Sequence, residues 1–391
     1  MKAGWSCKLL GEVCKTSSGG TPLKAKKEYY ENGTIPWLLS GEVSQGDVSA
    51  AKNFITQKGL ENSSAKIFPE NTVLVAMYGA TAGQVGILRF PAATNQAVCG
   101  ILPNELCVPE FLFYLLLSRK DELVAQAAGN AQPNISQFKI RNTVIPVPPL
   151  AEQQRIVTLL DEAFDGIATA KANAEKNLQN ARAIFESHLQ SVFTQSGEGW
   201  VEKRLAEVCA ITSMLIDPRK SEYLDLTHVG AGNIESKTGA FVELKTAREE
   251  GLISGKFLFD ESMVLYSKIR PYLMKVARPD FNGLCSADMY PLAPLPSAIS
   301  RDFLFYLLLS KPFTDYAIQG SARAGMPKVN REHLFEFRVR LPSMEEQNEL
   351  GGKLDELNEE TQRLESLYQR KLSALDELKK SLLAQAFSGA L

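Results

Sequence analysis

A chain of 391 residues is long for one hydrophobic core, so two or more domains are expected. Its 45% hydrophobic and 23% charged residues are ordinary for a globular protein, and no apolar run approaches the roughly 18 residues of a membrane span. A net charge of −2 excludes a protein that is basic throughout, yet the charge is unevenly placed.

The first residues lack an apolar signal-peptide core, so a cytoplasmic location is expected. Six cysteines form no C-x-x-C, which points to reduced thiols rather than a disulfide or zinc framework. TVLVAMYG at 72–79 and QVGILRF at 84–90 read as strands joined by a Gly-rich turn. FLFYLLLS at 111–118 reads as a buried helix, continued by 121–128. Residues 148–196 read as one long helix with Pro149 in its first turn. A second globular stretch follows at 197–341, where SMVLYSKIRPYLMKVARP at 262–279 is the counterpart of the first Gly-rich hairpin, now polar and basic. Residues 342–391 form a second long helix, opened by the capping box Ser343 and Glu346.

The chain is duplicated. VPPLAEQQRIVTLLDE at 147–162 returns without a gap as LPSMEEQNELGGKLDE at 341–356, and the offset of 194 still pairs Phe193 with Phe387. GWSCKLLGEVC at 4–14 resembles GWVEKRLAEVC at 199–209, and FLFYLLLSRK at 111–120 resembles FLFYLLLSKP at 303–312. Between these, residues 17–86 and 213–275 share little beyond apolar pattern. The domains expected are therefore 1–147, a helix at 148–196, 197–341, and a helix at 342–391. Residues 150–196 hold 4 basic and 6 acidic side chains and 341–391 hold 6 and 10, whereas 1–149 hold 14 and 11 and 197–340 hold 19 and 18. The helices carry the negative charge.

A heptad frame places Leu350, Leu354, Leu357, Leu364, Leu375, Leu378 and Leu382 on one seam of the second helix. The same frame in the first gives Ile156, Leu160, Ala163, Ile167, Ala170, Ala174 and, further on, Ile184. A Leu-rich seam facing an Ala-rich one suits two helices packed antiparallel within one chain. A helix of roughly 40 residues is about 60 Å long, so such a pair is expected to act as a ruler between the globular parts.

Catalytic patterns are missing. No P-loop, no G-x-G-x-x-G and no N-P-P-[YF] or D-P-P-Y for a flipped base is present, and His188, His228 and His333 are too scattered for a metal site or triad. No metal site is expected. Binding chemistry remains. Arg219, Lys220, Lys268, Arg270, Lys275, Arg323 and Lys328 suit phosphate or guanine. In the first half Lys24, Lys26, Lys27 and the polar loop 16–21 are candidates, and the amides Asn95, Gln96, Gln132 and Asn134 suit adenine.

Taken with SSGGTP at 17–22, IPWLLSGEV at 35–43, VLVAMYGATAGQVGIL at 73–88, TNQAV at 94–98 and PPLAEQQRIV at 148–157, the chain resembles the specificity subunit of type I restriction-modification systems over essentially its whole length. The second copy departs, with QQRI changed to QNEL. The resemblance implies an α+β chain with two pseudo-symmetric target recognition domains separated by a long antiparallel two-helix coiled coil. It implies that each domain reads half of a bipartite, asymmetric target in double-stranded DNA. Two methylation subunits and the restriction subunits would be the partners, carrying S-adenosylmethionine, ATP and Mg, with no cofactor and no catalysis on this chain. Ser18, Gly19, Gly20, Thr21, Ser40, Gly41, Tyr78, Gly79, Thr81 and Gly83 join the expected DNA-binding set. A coiled-coil scaffold that binds only proteins is the alternative.

Overall fold

The computed structural model describes residues 4–125, 134–195, 197, 199–321 and 327–391, with the backbone alone at 44 and 45. Two helices of 45 residues each, Leu150–Thr194 and Met344–Ser388, match the gapless repeat. The chain divides into two compact units, one of Met1–Ala174 with Arg370–Leu391, the other of Glu175–Gln369. This division differs from the four consecutive segments expected, because each globular part buries one end of each long helix.

The first unit holds strands β1 (Ser6–Leu9), β2 (Thr16–Ser18), β3 (Ile35–Leu38), β4 (Asp47–Val48), β5 (Phe54–Ile55), β6 (Ile67–Phe68), β7 (Val73–Ala76), β8 (Val85–Leu88), β9 (Ala92–Thr94), β10 (Val98–Ile101) and β11 (Val144–Val147). They form a β1-β11 pair, a five-stranded sheet β2-β10-β7-β8-β4 and a four-stranded sheet β5-β3-β9-β6. Every residue of β7, β8 and β10 is buried, so these strands read as continuous apolar runs rather than alternating ones. Val73, Val75, Val85 and Ile87 pack with the helix Pro109–Ser118 and the long-helix ends. Leu74, Ala76 and Leu88, on the opposite face, pack with Leu38, Phe68 and Ala92 of the second sheet. Phe111 meets Phe387 edge-on at 5.3 Å between ring centroids.

The second unit holds β12 (Val201–Arg204), β13 (Cys209–Ala210), β14 (Leu215–Ile216), β15 (Thr227–Val229), β16 (Lys245–Thr246), β17 (Lys256–Phe259), β18 (Val264–Ser267), β19 (Val276–Ala277), β20 (Gly283–Ser286), β21 (Met289–Pro294) and β22 (Arg338–Leu341). β12 pairs with β22, the order β13-β21-β18-β19 repeats β2-β10-β7-β8, and the run β17-β20-β15-β16 repeats β6-β9-β3-β5. The parallel pair β15/β20 matches the parallel pair β3/β9. The two stretches with little sequence in common therefore share one topology. β4 in the first unit and β14 in the second are the additions.

In the first unit Ile156, Val157 and Leu160 are buried with Leu383, Ala386 and Phe387, and Lys171 pairs with Asp376 at 2.7 Å. In the second, Leu189 and Val192 are buried with Leu354, and Arg182 pairs with Glu365 at 2.9 Å. The partner number falls as the helix number rises, so the helices run antiparallel. Ile167 is also buried, while Ala163, Leu350, Leu357, Leu364, Leu375 and Leu382 are half-buried. Ile184 and Leu378 leave the expected seam: they are 60% and 46% exposed. Phe185, one residue on from Ile184, packs with Tyr306 at 6.3 Å instead. The reason is geometric. A straight α-helix drifts about 20° per heptad against a strict 3.5 repeat, so one frame extended along 45 residues walks off the buried stripe.

Candidate nucleic-acid interface

The end of the five-stranded sheet in the first unit is built by the β7–β8 hairpin. Ala76 N–H donates to Gln84 O at 2.9 Å, and Gly83 N–H returns to Ala76 O at 2.9 Å. Gly79 and Gly83 take positive φ, +73° and +80°, the region in which glycine costs least. A side chain at 79 would meet nothing within 4 Å, whereas one at 83 would meet Val124 at 2.8 Å. Met77 N–H donates to Ala97 O at 2.8 Å, Ile135 N–H donates to Met77 O at 2.9 Å, and Tyr78 bridges to Asn134. Thr21 Oγ1 donates to Gln96 Oε1. These bonds gather Thr21, Tyr78, Gly79, Thr81, Asn95, Gln96 and Asn134 at one sheet end. Asn95 keeps its own Oδ1 on the Ala97 N–H at 3.2 Å, and Thr81 Oγ1 donates to Tyr78 O at 3.3 Å.

Two residues of the SSGGTP loop placed in the expected DNA-binding set, Gly19 and Gly20, are turned inward. Gly19 and Gly20 are buried, and a Cβ would lie 2.1 Å from Thr94 Oγ1 in one case and 2.2 Å from Ala65 N in the other. Gly20 O accepts from the Trp37 indole at 2.9 Å, and Ser18 Oγ donates to Gln137 Oε1 at 3.0 Å. Glycine is there so that two chain segments can touch. Ser40 opens a 3-10 turn with Gly41 exposed beside it, where Glu42 accepts from the Leu39 and Lys52 N–H groups at 2.8 and 3.0 Å. Lys24, Lys26 and Lys27 stand exposed on the stretch after the loop, and Lys26 Nζ donates to Tyr29 OH at 3.1 Å. Gln132 and Arg323 lie outside the described residues.

The second unit rebuilds the same end. Ser267 N–H donates to Lys275 O at 3.0 Å, Lys268 N–H to Asp288 O at 3.1 Å and Val329 N–H to Lys268 O at 2.8 Å, while Ile269 bridges to Lys328. These are the bonds of Ala76 to Gln84, Met77 to Ala97, Ile135 to Met77 and Tyr78 to Asn134. Residues 76–84 thus correspond to 267–275 without a gap, and the positive-φ positions correspond too: Arg270 and Met274, both at +50°, stand for Gly79 and Gly83. Lys268 is drawn below its ordinary range by burial and by Lys328, against the pull of Asp288. Its ammonium reaches Ala287 O and lies 3.7 Å from Asp288, which also takes Lys328 at 3.4 Å. Lys275 Nζ donates to Ala231 O at 2.5 Å. Arg219 is exposed and forked onto Asp217 at 2.9 and 2.8 Å, with Lys220 exposed next to it. Sequence reasoning missed Asp288, which occupies two of the candidate cations, and Tyr272, 52% exposed on the turn. The gapless match of the two hairpins was the available signal.

The family model described as the type I restriction modification DNA specificity domain matches residues 2–179 and again 197–371. The chain belongs to this family. Among relatives of this specificity family, the chain is 28% identical to the EcoDI specificity subunit of Escherichia coli over 416 residues, covering 96% of this chain and 90% of that one. It is 32% identical to the EcoR124I/EcoR124II specificity subunit of Escherichia coli over 168 residues, 42% of this chain and 41% of that one. In fold it is similar to a chain from a structure of the type I R-M system, with a TM-score of 0.78 at 21% identity and coverage of 100% and 99%. It is also similar to the HsdS subunit from Thermoanaerobacter tengcongensis, with a TM-score of 0.67 at 21% identity and coverage of 100% and 98%. Among the described residues of this family member, no group of three or more His, Cys, Asp or Glu is placed to hold a metal ion, and no helix is long and apolar enough to cross a membrane.

Proposed function

We propose that the chain is the DNA-recognition and assembly subunit of a type I restriction-modification complex, and that each unit reads one half of a bipartite, asymmetric target. The observation that carries this reading is the pair of hairpin ends. Four of their backbone pairings correspond, although Gly83 N–H returns to Ala76 O while Met274 N–H turns to Pro271 O, and Tyr78, Gly79 and Asn134 stand where the other unit has Ile269, Arg270 and Lys328. One scaffold presenting two different sets of side chains suits two different half-sites. Exposed lysines such as Lys24, Lys27 and Lys220 would neutralise phosphates and set register, while side chains at the hairpin ends would meet base edges.

Two methylation subunits and the restriction subunits would complete the assembly, supplying S-adenosylmethionine, ATP and Mg, with no catalytic group on this chain. Co-expression with the methylation subunits, followed by long-read methylation sequencing, should return a two-part adenine motif with unlike halves. A palindromic motif, or none, would remove the reading. Gel-shift titration should show affinity falling steeply with salt; binding indifferent to salt would favour a protein-binding scaffold instead.

A further inference from the structure

Arg270 occupies a backbone conformation that its own unit does not need from an arginine. At the corresponding place the first unit uses Gly79, at φ +73°. An L-residue with a Cβ is disfavoured in the left-handed region, and such strain persists where something is gained from it. Met274, the other non-glycine at positive φ on this hairpin, has an evident gain, because its side chain is half-buried against the core of the unit. Arg270 has none of that kind. Its side chain is exposed, and among the described residues its guanidinium has no hydrogen-bond or ion-pair partner. The other hairpin cations are engaged: Lys268 and Lys328 on Asp288, and Lys275 on Ala231 O. The turn itself is pinned, with Arg270 N–H on Pro327 O at 2.9 Å and Leu273 N–H on Arg270 O at 2.9 Å. A pinned left-handed residue fixes the Cα–Cβ direction, so the side chain leaves the turn from one side.

We infer that Arg270 is the specificity-determining residue of the second unit, reading a guanine edge in its half-site, while the first unit has only glycine at the equivalent place. The inference rests on the DNA-recognition reading given above. Chemistry decides between base and phosphate. A phosphate is satisfied by a flexible point charge, as lysine supplies, and needs no strained placement. The guanidinium fork matches guanine O6 and N7 with two parallel hydrogen bonds, and gains from being aimed.

The test compares the full chain with Arg270→Gly and Arg270→Lys, each co-expressed with the methylation subunits. The methylated motif is determined by long-read sequencing of the host DNA. Binding is then measured on duplexes carrying that motif and its single-base variants. Glycine fits the turn, so Arg270→Gly should melt no lower than the parent. It should lose roughly ten- to a hundredfold of discrimination at one guanine of one half-site, with the other half unchanged. Arg270→Lys should retain most affinity but not the discrimination. Equal weakening on all sequences, with a shallower salt dependence, would make Arg270 a phosphate contact and overturn the inference. So would an unchanged motif in both variants, or a lysine variant that still discriminates. If the parent complex itself yields no two-part motif, the recognition reading fails and takes this inference with it.

Discussion

Gln153 Oε1 accepts the N–H of Val108 at 2.8 Å, and its amide nitrogen donates to the carbonyls of Leu106 and Pro148, both at 2.9 Å. Gln347 repeats the arrangement with Ser300 N–H at 2.8 Å, Ala298 O at 3.3 Å and Pro342 O at 3.1 Å. Both side chains are buried. The glutamine of the duplicated motif is therefore a lock between the start of a long helix and the residue that opens the apolar helix Pro109–Ser118 or Arg301–Leu309. Gln153→Ala leaves one buried donor and two acceptors unsatisfied. It should cost about 3 kcal/mol in urea unfolding of the full chain, from roughly 1 kcal/mol or more per stranded group. Gln153→Glu should cost more at neutral pH, because it sets carboxylate oxygen against two carbonyls, and should recover in part on acidification. A glutamate variant as stable as the parent would show that the amide donates to neither carbonyl.

Much of the scaffold was legible because it is written twice. The gapless repeat gave both long helices, and Tyr114 on Asp161 at 2.5 Å recurs as Tyr306 on Asp355 at 2.6 Å, contacts that identical positions in the two copies encode. The common topology of the two inserts was legible only at the hairpin 72–90 and its counterpart at 262–279, since the other strands of the inserts are too short, at two to six residues, to carry a pattern of their own. Seam residues were readable near the starts of the helices but not past Ala181 or around Leu378, where drift of 3.6 against 3.5 residues per turn accumulates. The hairpin candidates were found, yet Asp288 could not be. It neutralises Lys268 and Lys328 from positions remote in sequence, and only the pairing of strands brings them together.

The same distinction separates the glycines of the first unit. Gly20 and Gly79 read alike in sequence, both in polar, Gly-containing turns. A Cβ at Gly20 would press on backbone, 2.2 Å from Ala65 N and 2.3 Å from Ser64 C, which cannot rotate away. Gly20→Ala should destabilise the first unit by about 3 kcal/mol or more, as overpacking against backbone does at the upper end of its range. Gly79→Ala meets open space and only the φ of +73° opposes it, so about 1 kcal/mol is expected. Thermal melts of the two variants check the order. Reversal would mean that the loop at 17–22 can move aside.

Arg278 ties three elements of the second unit, lying 2.6 Å from Asp302, 2.6 Å from Asp355 and 4.3 Å above the Phe305 ring. Burial pushes the Asp355 carboxyl up, but the hydrogen bonds from Arg278 and Tyr306 outweigh it, and the group sits below the usual carboxylate range. A depressed carboxylate contributes stability above its unfolded value, near 3.9, and that contribution is lost as pH falls through the folded value. Arg278→Met keeps the packing on Phe305 and removes the charge, at a cost of about 3 kcal/mol for an uncompensated, partly buried carboxylate. Burial is then opposed only by the Tyr306 hydrogen bond and the charge of Arg301, so Asp355 rises relative to the parent, and the variant should lose less stability than the parent as pH falls from 6 to roughly 4. Urea midpoints measured across that window decide it, and parallel curves would separate Asp355 from the pair.

His228 is buried with Nδ1 2.9 Å from Glu250 Oε2, while its Nε2 has no partner among the described residues. Lys256, buried in β17, keeps its own ammonium on Ser254 O at 2.9 Å and Ser254 Oγ at 2.7 Å. Burial lowers the imidazole from its ordinary range, Glu250 pulls it back and Lys256 pushes it down further, with a net lowering. The folded chain therefore prefers neutral His228, and the unfolded chain binds the extra proton more readily. Stability is fully present above about pH 6.5, the unfolded value, and declines as pH falls through it towards the folded one. Protonation would place a buried N–H where none of the described residues accepts it, which is why the pairing with Glu250 does not reverse the sign. His228→Gln cannot titrate, so the fall in urea midpoint of the second unit between pH 7.5 and 5.5 should be smaller than in the parent. If parent and variant lose stability in step over that range, the imidazole is not the titrating group.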